Sequence, residues 1–261
     1  MKDDFGDRMK SFENKDRFVR DQPVIVRIDG KKFSKWTKGL VRPYDQGLSD
    51  LMVAVTSKLV KETGALIGYT QSDEITLVLY NDNPVGQTYL DGRPQKLTSI
   101  LASLTTGWFN ELRKDYLPHH TAGIAFFDAR AYVVPGMSEA ANALLWREMD
   151  ATRNAVSMAA HHHFSHSSLQ GANVTDMKNK LLADADVNFD DYPVFFKRGT
   201  FVQRKPVETV LSNEVLAKIP EKDRPAGAVV RKKIVKVDMP SFVNVINRIG
   251  VVFEAAEPVT E

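Results

Sequence analysis

Pro23-Val24-Ile25-Val26-Arg27-Ile28-Asp29-Gly30 is a short apolar run that stops on a carboxylate and a glycine. Its length and β-branched residues predict a buried strand over 23–29. A second stop of the same kind lies downstream. Ala65-Leu66-Ile67-Gly68-Tyr69-Thr70-Gln71 and Ile75-Thr76-Leu77-Val78-Leu79-Tyr80 flank Ser72-Asp73-Glu74. This predicts a hairpin with strands 65–71 and 75–80 and with Asp73-Glu74 at its turn. Two strands that each end on an acid can aim both carboxylates at one point. Paired carboxylates hold hard divalent cations against phosphate oxygens, so the pair points to phosphoryl or nucleotidyl transfer.

The surrounding segments complete a pattern. Asp45 reads as the N-cap of a helix in which Leu48, Leu51, Met52, Val55, Leu59 and Val60 recur at helical spacing, ending before Gly64. A second helix fits 95–116, with Leu97, Ile100, Leu101, Leu104, Trp108 and Leu112 on one face. Asn81-Asp82-Asn83-Pro84 breaks the chain before it, and Ala122 to Val134 alternates as a further strand. The order βαββαβ defines an α+β, ferredoxin-like core over 1–136, an antiparallel sheet with two helices on one face. Its first strand neighbours the hairpin, which places Asp29 near Asp73. Phe5, Met9, Phe12 and Phe18 are expected to pin a short N-terminal helix to the body.

Residues 137–261 read as a helical and β-hairpin extension packed on the core as one unit. It comprises a helix over 138–163 with Ser138 as N-cap, a short helix over 174–182 and an acidic loop over 183–193. Strands over 194–204 and 227–238 follow, with a frayed tail after Val252.

The chain has 261 residues, 43% hydrophobic and 26% charged, the balance of a globular protein with a real core. No apolar stretch approaches the ~18 residues of a membrane span, and Met1 to Arg8 lacks the apolar core of a secretory signal. Cysteine is absent, which excludes disulfides and cysteine-bound zinc or iron–sulfur centres. A cytoplasmic location is expected. The net charge of +2 is mild, so local clusters matter more. Lys31-Lys32 with Lys35, Lys38 and Arg42, and the groups Lys197-Arg198, Arg204-Lys205 and Arg231-Lys232-Lys233, suit phosphate contacts and solvated faces about equally.

Within this frame Asp29 and Asp73 suit a bridging role between two cations, and the Gly30 carbonyl adds an approachable ligand. Glu74 completes the site or steers a water. Successive N–H groups in Gly30-Lys31-Lys32-Phe33-Ser34-Lys35 would form an anion nest for a triphosphate; there is no GxxxxGK[ST] loop. Arg93 and Lys96 lie one turn apart and suit a second phosphate or a solvated helix start equally. His162 and His166 form an i, i+4 pair, but no HExxH accompanies it, so a helix end or surface is the expected setting. No GxSxG elbow marks a serine hydrolase.

These residues resemble a known family. Val26-Arg27-Ile28-Asp29-Gly30-Lys31-Lys32-Phe33, Pro43-Tyr44-Asp45, Tyr69-Thr70-Gln71-Ser72-Asp73-Glu74, Phe127-Asp128-Ala129-Arg130, Trp146-Arg147 with Asp150 and Asn154, and Lys197-Arg198-Gly199-Thr200 run in the order of the tRNA-His guanylyltransferases and their guanylyltransferase-like relatives. The resemblance implies a polymerase-palm-like core that adds nucleotides to RNA in the 3′-to-5′ direction. It implies two Mg²⁺ ions bridged by Asp29 and Asp73, with the Gly30 carbonyl on one and Glu74 assisting. It further implies ATP or GTP as activating nucleotide, held by residues 29–34 (including Lys31, Lys32, Phe33 and Ser34) and Ser72, with Asp45 near the base. Arg93 and Lys96 match basic positions tied to 5′-end activation. Arg130, Asn154, Lys197 and Arg198 are assigned to contacts with the RNA or a second nucleotide. Relatives are tetramers, so a homotetramer acting on tRNA or another structured RNA is implied. The eukaryotic enzymes carry His-Ile-Asn-Asn where this chain has Thr152-Arg153-Asn154-Ala155. That departure favours the guanylyltransferase-like branch, in which repair of truncated 5′ ends is expected. A palm-type nucleotide cyclase or signalling nucleotidyltransferase, and a non-catalytic RNA-binding module, share the same core and compete with this assignment.

Overall fold

One antiparallel sheet of six strands, in the order β4-β1-β3-β2-β5-β6, carries the chain. A computed structural model describes residues 4–81, 86, 88–221, 224 and 229–261. The break at 81–84 lies outside them beyond Asn81, as do the first residues of the strand expected at 227–238. The elements are α1 Asp4–Lys10, β1 Val24–Gly30, α2 Phe33–Trp36, α3 Gln46–Thr63, β2 Ile67–Gln71, β3 Glu74–Leu79, α4 Pro94–Tyr116 and β4 Phe127–Val133. Then come α5 Met137–His163, α6 Val174–Ala185, α7 Val194–Arg198, β5 Thr200–Thr209, α8 Asn213–Ala217, β6 Val229–Val237 and α9 Arg248–Glu254.

The βαββαβ core forms because strand alternation gives the sheet two apolar faces. Val24, Val26, Ile28, Ile75 and Leu77 point at Leu51, Met52, Val55, Leu59, Leu97 and Leu101 of α3 and α4. Ile25, Ile67, Tyr69 and Val78 point the other way, at Ala140, Ala141 and Leu144 of α5 and Val251 and Val252 of α9. The two core helices therefore share one face, and the extension covers the other. β5 pairs with β2 and β6 with β5, so the sheet runs on into residues beyond 136.

Several local expectations are corrected. Asp45 caps α3, accepting from Leu48 N–H at 3.0 Å, as expected. Ser138 does not cap α5; the N-cap is Gly136, and Ser138 lies inside the first turn. α6 starts at a capping box between Asn173 and Asp176 and runs on to Ala185, where Asp186 takes the left-handed conformation, so the acidic loop starts later and contains a 3₁₀ turn at Phe189–Asp191. β4 is shorter than 122–134, because the chain before Phe127 is held to α4 by two bonds between Asn110 and Ala125. The N-terminal aromatics do not pin α1: Phe5 and Phe12 are exposed, α1 buries nothing, and only Phe18 packs on the core. The tail is not frayed. Asn247 binds both Glu257 and Val259, and Val245 bridges Thr260.

The strand expected at 194–204 is half helix. Residues 194–198 make the short α7, and the chain turns into β5 at Gly199, φ 74°. A β-carbon there would lie 2.6 Å from the Thr70 carbonyl and the Tyr69 hydroxyl. Only glycine meets both constraints. Gly199→Ala is expected to lower unfolding free energy by about 2–4 kcal/mol. Urea denaturation checks this; a change below about 0.5 kcal/mol would contradict it.

Candidate active site

The end of β1 and the β2–β3 turn meet at one corner of the sheet. β1 and β3 pair from Val24↔Leu79 to Ile28↔Ile75, so the next residues of β1 face the turn. That turn is Ser72-Asp73 rather than Asp73-Glu74, since Gln71 pairs with Glu74 and Glu74 opens β3. A β-carbon on Gly30 would sit 2.7 Å from Asp73 Oδ2. Asp73 therefore lies against the Gly30 backbone, and Asp29 projects beside it. Ser72 takes φ 53° in the two-residue turn, and its hydroxyl donates to Asp73 Oδ1 at 3.1 Å.

Burial and neighbouring carboxylates raise the proton affinity of both acids. Burial, then the charge of Asp29, lifts Asp73 to about 6, against the hydrogen bonds that lower it. Asp29 is raised by burial, then by Glu74 and by Asp128, its partner across β4. A cation bound between the two acids would relieve this repulsion.

Glu74 is held differently. Arg27 donates to its Oε1 at 3.0 Å, and the buried Arg147 of α5 donates to Oε2. Arg147 also bonds Asp150 at 3.1 Å, which is kept below its usual range, burial opposing, by hydrogen bonds from Arg153 and Arg147. Both guanidinium groups, of Arg27 and Arg147, lie over the Trp146 ring, at 5.4 and 4.6 Å. Glu74 thus anchors the hairpin to α5, with both oxygens already engaged.

The donor set left for a cation is Asp29, Asp73 and the Gly30 carbonyl. All three are hard oxygens, as Mg²⁺ requires, and Mg²⁺ is commonly held by one or two carboxylates with phosphate oxygens filling the remainder. The space a Gly30 β-carbon would take is filled by the Phe33 ring and, at 2.7 Å, by Asp73 Oδ2, so only glycine lets the acid lie on this backbone. The residues fit the ion. Among the described residues no cluster of three or more histidine and acidic side chains forms an all-protein metal cage. His161 packs on His166 and His162 on His163 as aromatic pairs.

Next to the acids, Lys31 N–H is taken by the Phe126 carbonyl at 2.8 Å, so the anion nest is smaller than the sequence implies. The N–H groups of Lys32, Phe33 and Ser34 have no acceptor among the described residues. Lys32 supplies the turn with φ 53°. The Phe33 side chain is not available to a nucleotide. It is buried, its ring 4.9 Å from Trp36 and 5.6 Å from both Phe109 and Phe127.

A cleft opens on the other side of Ser72. Leu40, Pro43, Tyr44, Met52, Met158 and Phe195 supply most of its apolar wall, and Thr70, Gln71 and Ser72 line the side towards the acids. An apolar slot with polar groups at its mouth suits a planar base. Asp45 lies in this wall, but its oxygens are used locally, by Leu48 N–H and by Val41 N–H at 3.2 Å. It shapes the 41–48 loop.

The other candidates are distributed. Arg130 pairs with the adjacent Asp128 at 3.8 Å and is registered opposite Arg27. Asn154 is exposed on α5, 3.5 Å from Asp150. Lys197 donates to the Asp190 carbonyl, and Arg198 reaches the buried Glu148 at 3.4 Å. Arg93 is the N-cap of α4 and lies 3.6 Å from Asp91. Phe109, sixteen residues on, is the α4 residue that packs under Phe33, so Arg93 is about 24 Å along the helix from the acids' corner. Lys96 shares that distant end, and neither is brought to the carboxylates within one chain.

Sequence reasoning assigned no role to Arg27, Arg147, Asp128 and Glu148. Strand alternation puts Arg27 on the face of Asp29, a signal that was available. Arg147 and Glu148 were not recoverable, because their partners Glu74 and Phe242 N–H (2.8 Å) are remote in sequence.

With this geometry in place, comparison with known proteins is specific. Residues 6–135 match the family model for tRNAHis guanylyltransferase, Thg1. A bacterial tRNA(His) guanylyltransferase (Thg1)-like protein in complex with ATP shares 38% identity, with a TM-score of 0.72, over 77% of this chain and 87% of that one. A second structure of that description, in complex with GTP, shares 31% identity, with a TM-score of 0.71, over 92% and 94%. The tRNA(His) guanylyltransferase of Saccharomyces cerevisiae is 25% identical over 82% of this chain and 94% of its own. The fold and site define a palm-type nucleotidyltransferase. The chain belongs to the tRNAHis guanylyltransferase (Thg1) family, with higher identity to these bacterial Thg1-like chains than to the yeast enzyme.

The acid pair makes a stability prediction. Asp73 has a folded value of about 6 against an ordinary 3.8. The native state therefore holds the extra proton, and stability falls as pH rises through about 6, by up to roughly 3 kcal/mol without metal. Metal-free Asp29→Asn is expected to melt above the wild type at pH 7.5, with the gap closing towards pH 4. A variant that melts lower than the wild type at pH 7.5 would contradict the repulsion.

Proposed function

We propose that the chain is a Mg²⁺-dependent 3′-to-5′ nucleotidyltransferase that extends the 5′ end of tRNA or a related RNA. The observation that carries this is Asp73 packed on the Gly30 backbone beside Asp29, with a base-sized cleft opening at Ser72. The bacterial relatives, one in complex with ATP and the other with GTP, support either as activating nucleotide.

Asp29, Asp73 and the Gly30 carbonyl would hold two Mg²⁺ ions, which supply charge neutralisation on phosphate oxygens and a lowered pKa for an attacking hydroxyl. The chain's own groups do the remainder. The Tyr44–Ser72 cleft takes the base of the activating nucleotide. The free N–H groups of Lys32, Phe33 and Ser34, with the ammonium groups of Lys31 and Lys32, take its phosphates. The 5′-monophosphate of the RNA then attacks the α-phosphorus. A new P–O–P bond forms, the α–β bond breaks, and pyrophosphate leaves. In the second step the 3′-OH of an incoming nucleoside triphosphate attacks the activated 5′-phosphate, losing its proton as the mononucleotide departs. An RNA that already carries a 5′-triphosphate needs only this second step.

Glu74 acts as a positioning residue in this scheme, since Arg27 and Arg147 hold it and through it hold Asp73. Arg130, whose charge acts on Asp29, together with Asn154 of α5 and Lys197 and Arg198 of α7, would meet RNA or the second nucleotide. Arg93 and Lys96 would reach a 5′ end only from another subunit of a homo-oligomer, which accords with the tetramer expected by resemblance. Action on tRNA supports the expected cytoplasmic location.

Incubation with a 5′-truncated tRNA, Mg²⁺ and each labelled nucleoside triphosphate is expected to lengthen the 5′ end. Asp29→Ala and Asp73→Ala should each reduce turnover by roughly 10³-fold or more while leaving RNA affinity within about twofold. Cyclic or dinucleotide products from nucleoside triphosphates alone, or no extension of any mono- or triphosphorylated 5′ end, would sink the proposal.

A further inference from the structure

Trp146 is the exposed one of the chain's three tryptophans. Trp36 and Trp108 pack into the core shared by α3 and α4, whereas Trp146, on α5, is 47% accessible. A lone exposed apolar side chain needs no explanation in itself. What sets this one apart is what lies under it. The guanidinium groups of Arg27 and Arg147 lie over its ring at 5.4 and 4.6 Å. Those arginines expose only 21% and 5% of their side chains. The ring therefore sits between the two cations and solvent. Its inner side is engaged by them, and its outer side is open.

Strand register puts this ring at the edge of the acid corner. Val24, Val26 and Ile28 face α3 and α4, so Arg27 and Asp29 share the α5 face, about 7 Å apart along β1. Arg130 is registered opposite Arg27, is well exposed, and its charge acts on Asp29. In the sheet order β4-β1-β3-β2, the Trp146 ring lies over the β1 side, whereas the Tyr44–Ser72 cleft opens at the end of β2. Asp29 and Asp73 lie between a cleft sized for one base and an open aromatic ring.

We propose that Trp146 is the stacking platform for the 5′-terminal base of the RNA, which brings the phosphate of that nucleotide to Asp29 and Asp73, with Arg130 meeting the next phosphate of the strand. The identity of the ligand as an RNA end rests on the proposed function; the platform itself rests on the exposure of the ring and the cations beneath it. A base is favoured over a phosphate as the group that meets the ring, because the ring offers a flat apolar face and the charges lie behind it. Every base has a π-face, so the platform positions the end with only a modest preference among bases.

The test measures equilibrium binding of a 5′-monophosphorylated tRNA whose first nucleotide is either normal or abasic. In the wild type, removal of the base is expected to cost about tenfold in affinity. Trp146→Ala should lose about tenfold for the normal RNA and bind the abasic RNA as the wild type does. Trp146→Phe, which keeps a ring over both guanidinium groups, should stay within about threefold of the wild type. Tryptophan emission should be quenched by the normal RNA in the wild type and not in Trp146→Phe. Equal binding of the two RNAs by the wild type would overturn the inference, whether or not the alanine variant folds. So would a loss in Trp146→Ala of the same size with and without the base, since Trp146 would then act only by holding Arg27 and Arg147 on Glu74. A loss confined to the KM of the incoming nucleoside triphosphate would overturn it as well. An RNA end that stacks on Trp146 but gains no nucleotide would refute the proposed function and leave the platform standing; extension by a protein indifferent to the terminal base would do the reverse.

Discussion

Two carboxylates forced together by antiparallel pairing are the constraint on which the site depends. β1 delivers Asp29 and Gly30 at its end, and the hairpin returns Asp73 against the same backbone. Nothing in the apolar core requires acids at that corner. Burial of Asp73, then the charge of Asp29 beside it, raise its proton affinity and oppose folding at neutral pH. A fold keeps such an arrangement when a ligand relieves it. The ligand that fits is a hard cation with phosphate oxygens, because the donors are oxygens alone.

The elements around this corner explain why it is rigid. Phe33 anchors the 31–36 turn in a nest of aromatic rings, which fixes the backbone of that turn next to Gly30. Glu74 is locked between β1 and α5 by two arginines, so the hairpin cannot swing without breaking ion pairs that are largely out of water. The same α5 presents Glu148 inward to Phe242 N–H and Arg198. The extension thus secures the β2–β3 hairpin through the Arg147–Glu74 pair.

Much of this was legible in the sequence where the signal is local. The 2-residue and 3.6-residue periodicities gave β1, β2, β3, α3 and α4, and two short acidic motifs located the corner. The segment 194–204 misled, because Phe195 and Phe196 look like strand residues while Gly199 hides the change from helix to strand. The N-terminal aromatics misled for the opposite reason, since Phe5 and Phe12 are apolar yet find no surface to cover. Partners remote in the chain, such as Arg147 with Glu74 or Lys205 with Glu257, have no sequence signature and needed the fold. Lys31 shows a finer limit: its place in an expected anion nest is lost because its N–H is spent on Phe126.

The central claim is that Asp29, Asp73 and the Gly30 carbonyl form one cation site. Anomalous scattering from Mn²⁺ in crystals grown with ATP tests it most directly. The account predicts a manganese peak within coordination distance of both carboxylates and the Gly30 carbonyl, lost in Asp73→Asn. Manganese bound to ATP with no contact to either aspartate, or held elsewhere on the chain, would contradict it.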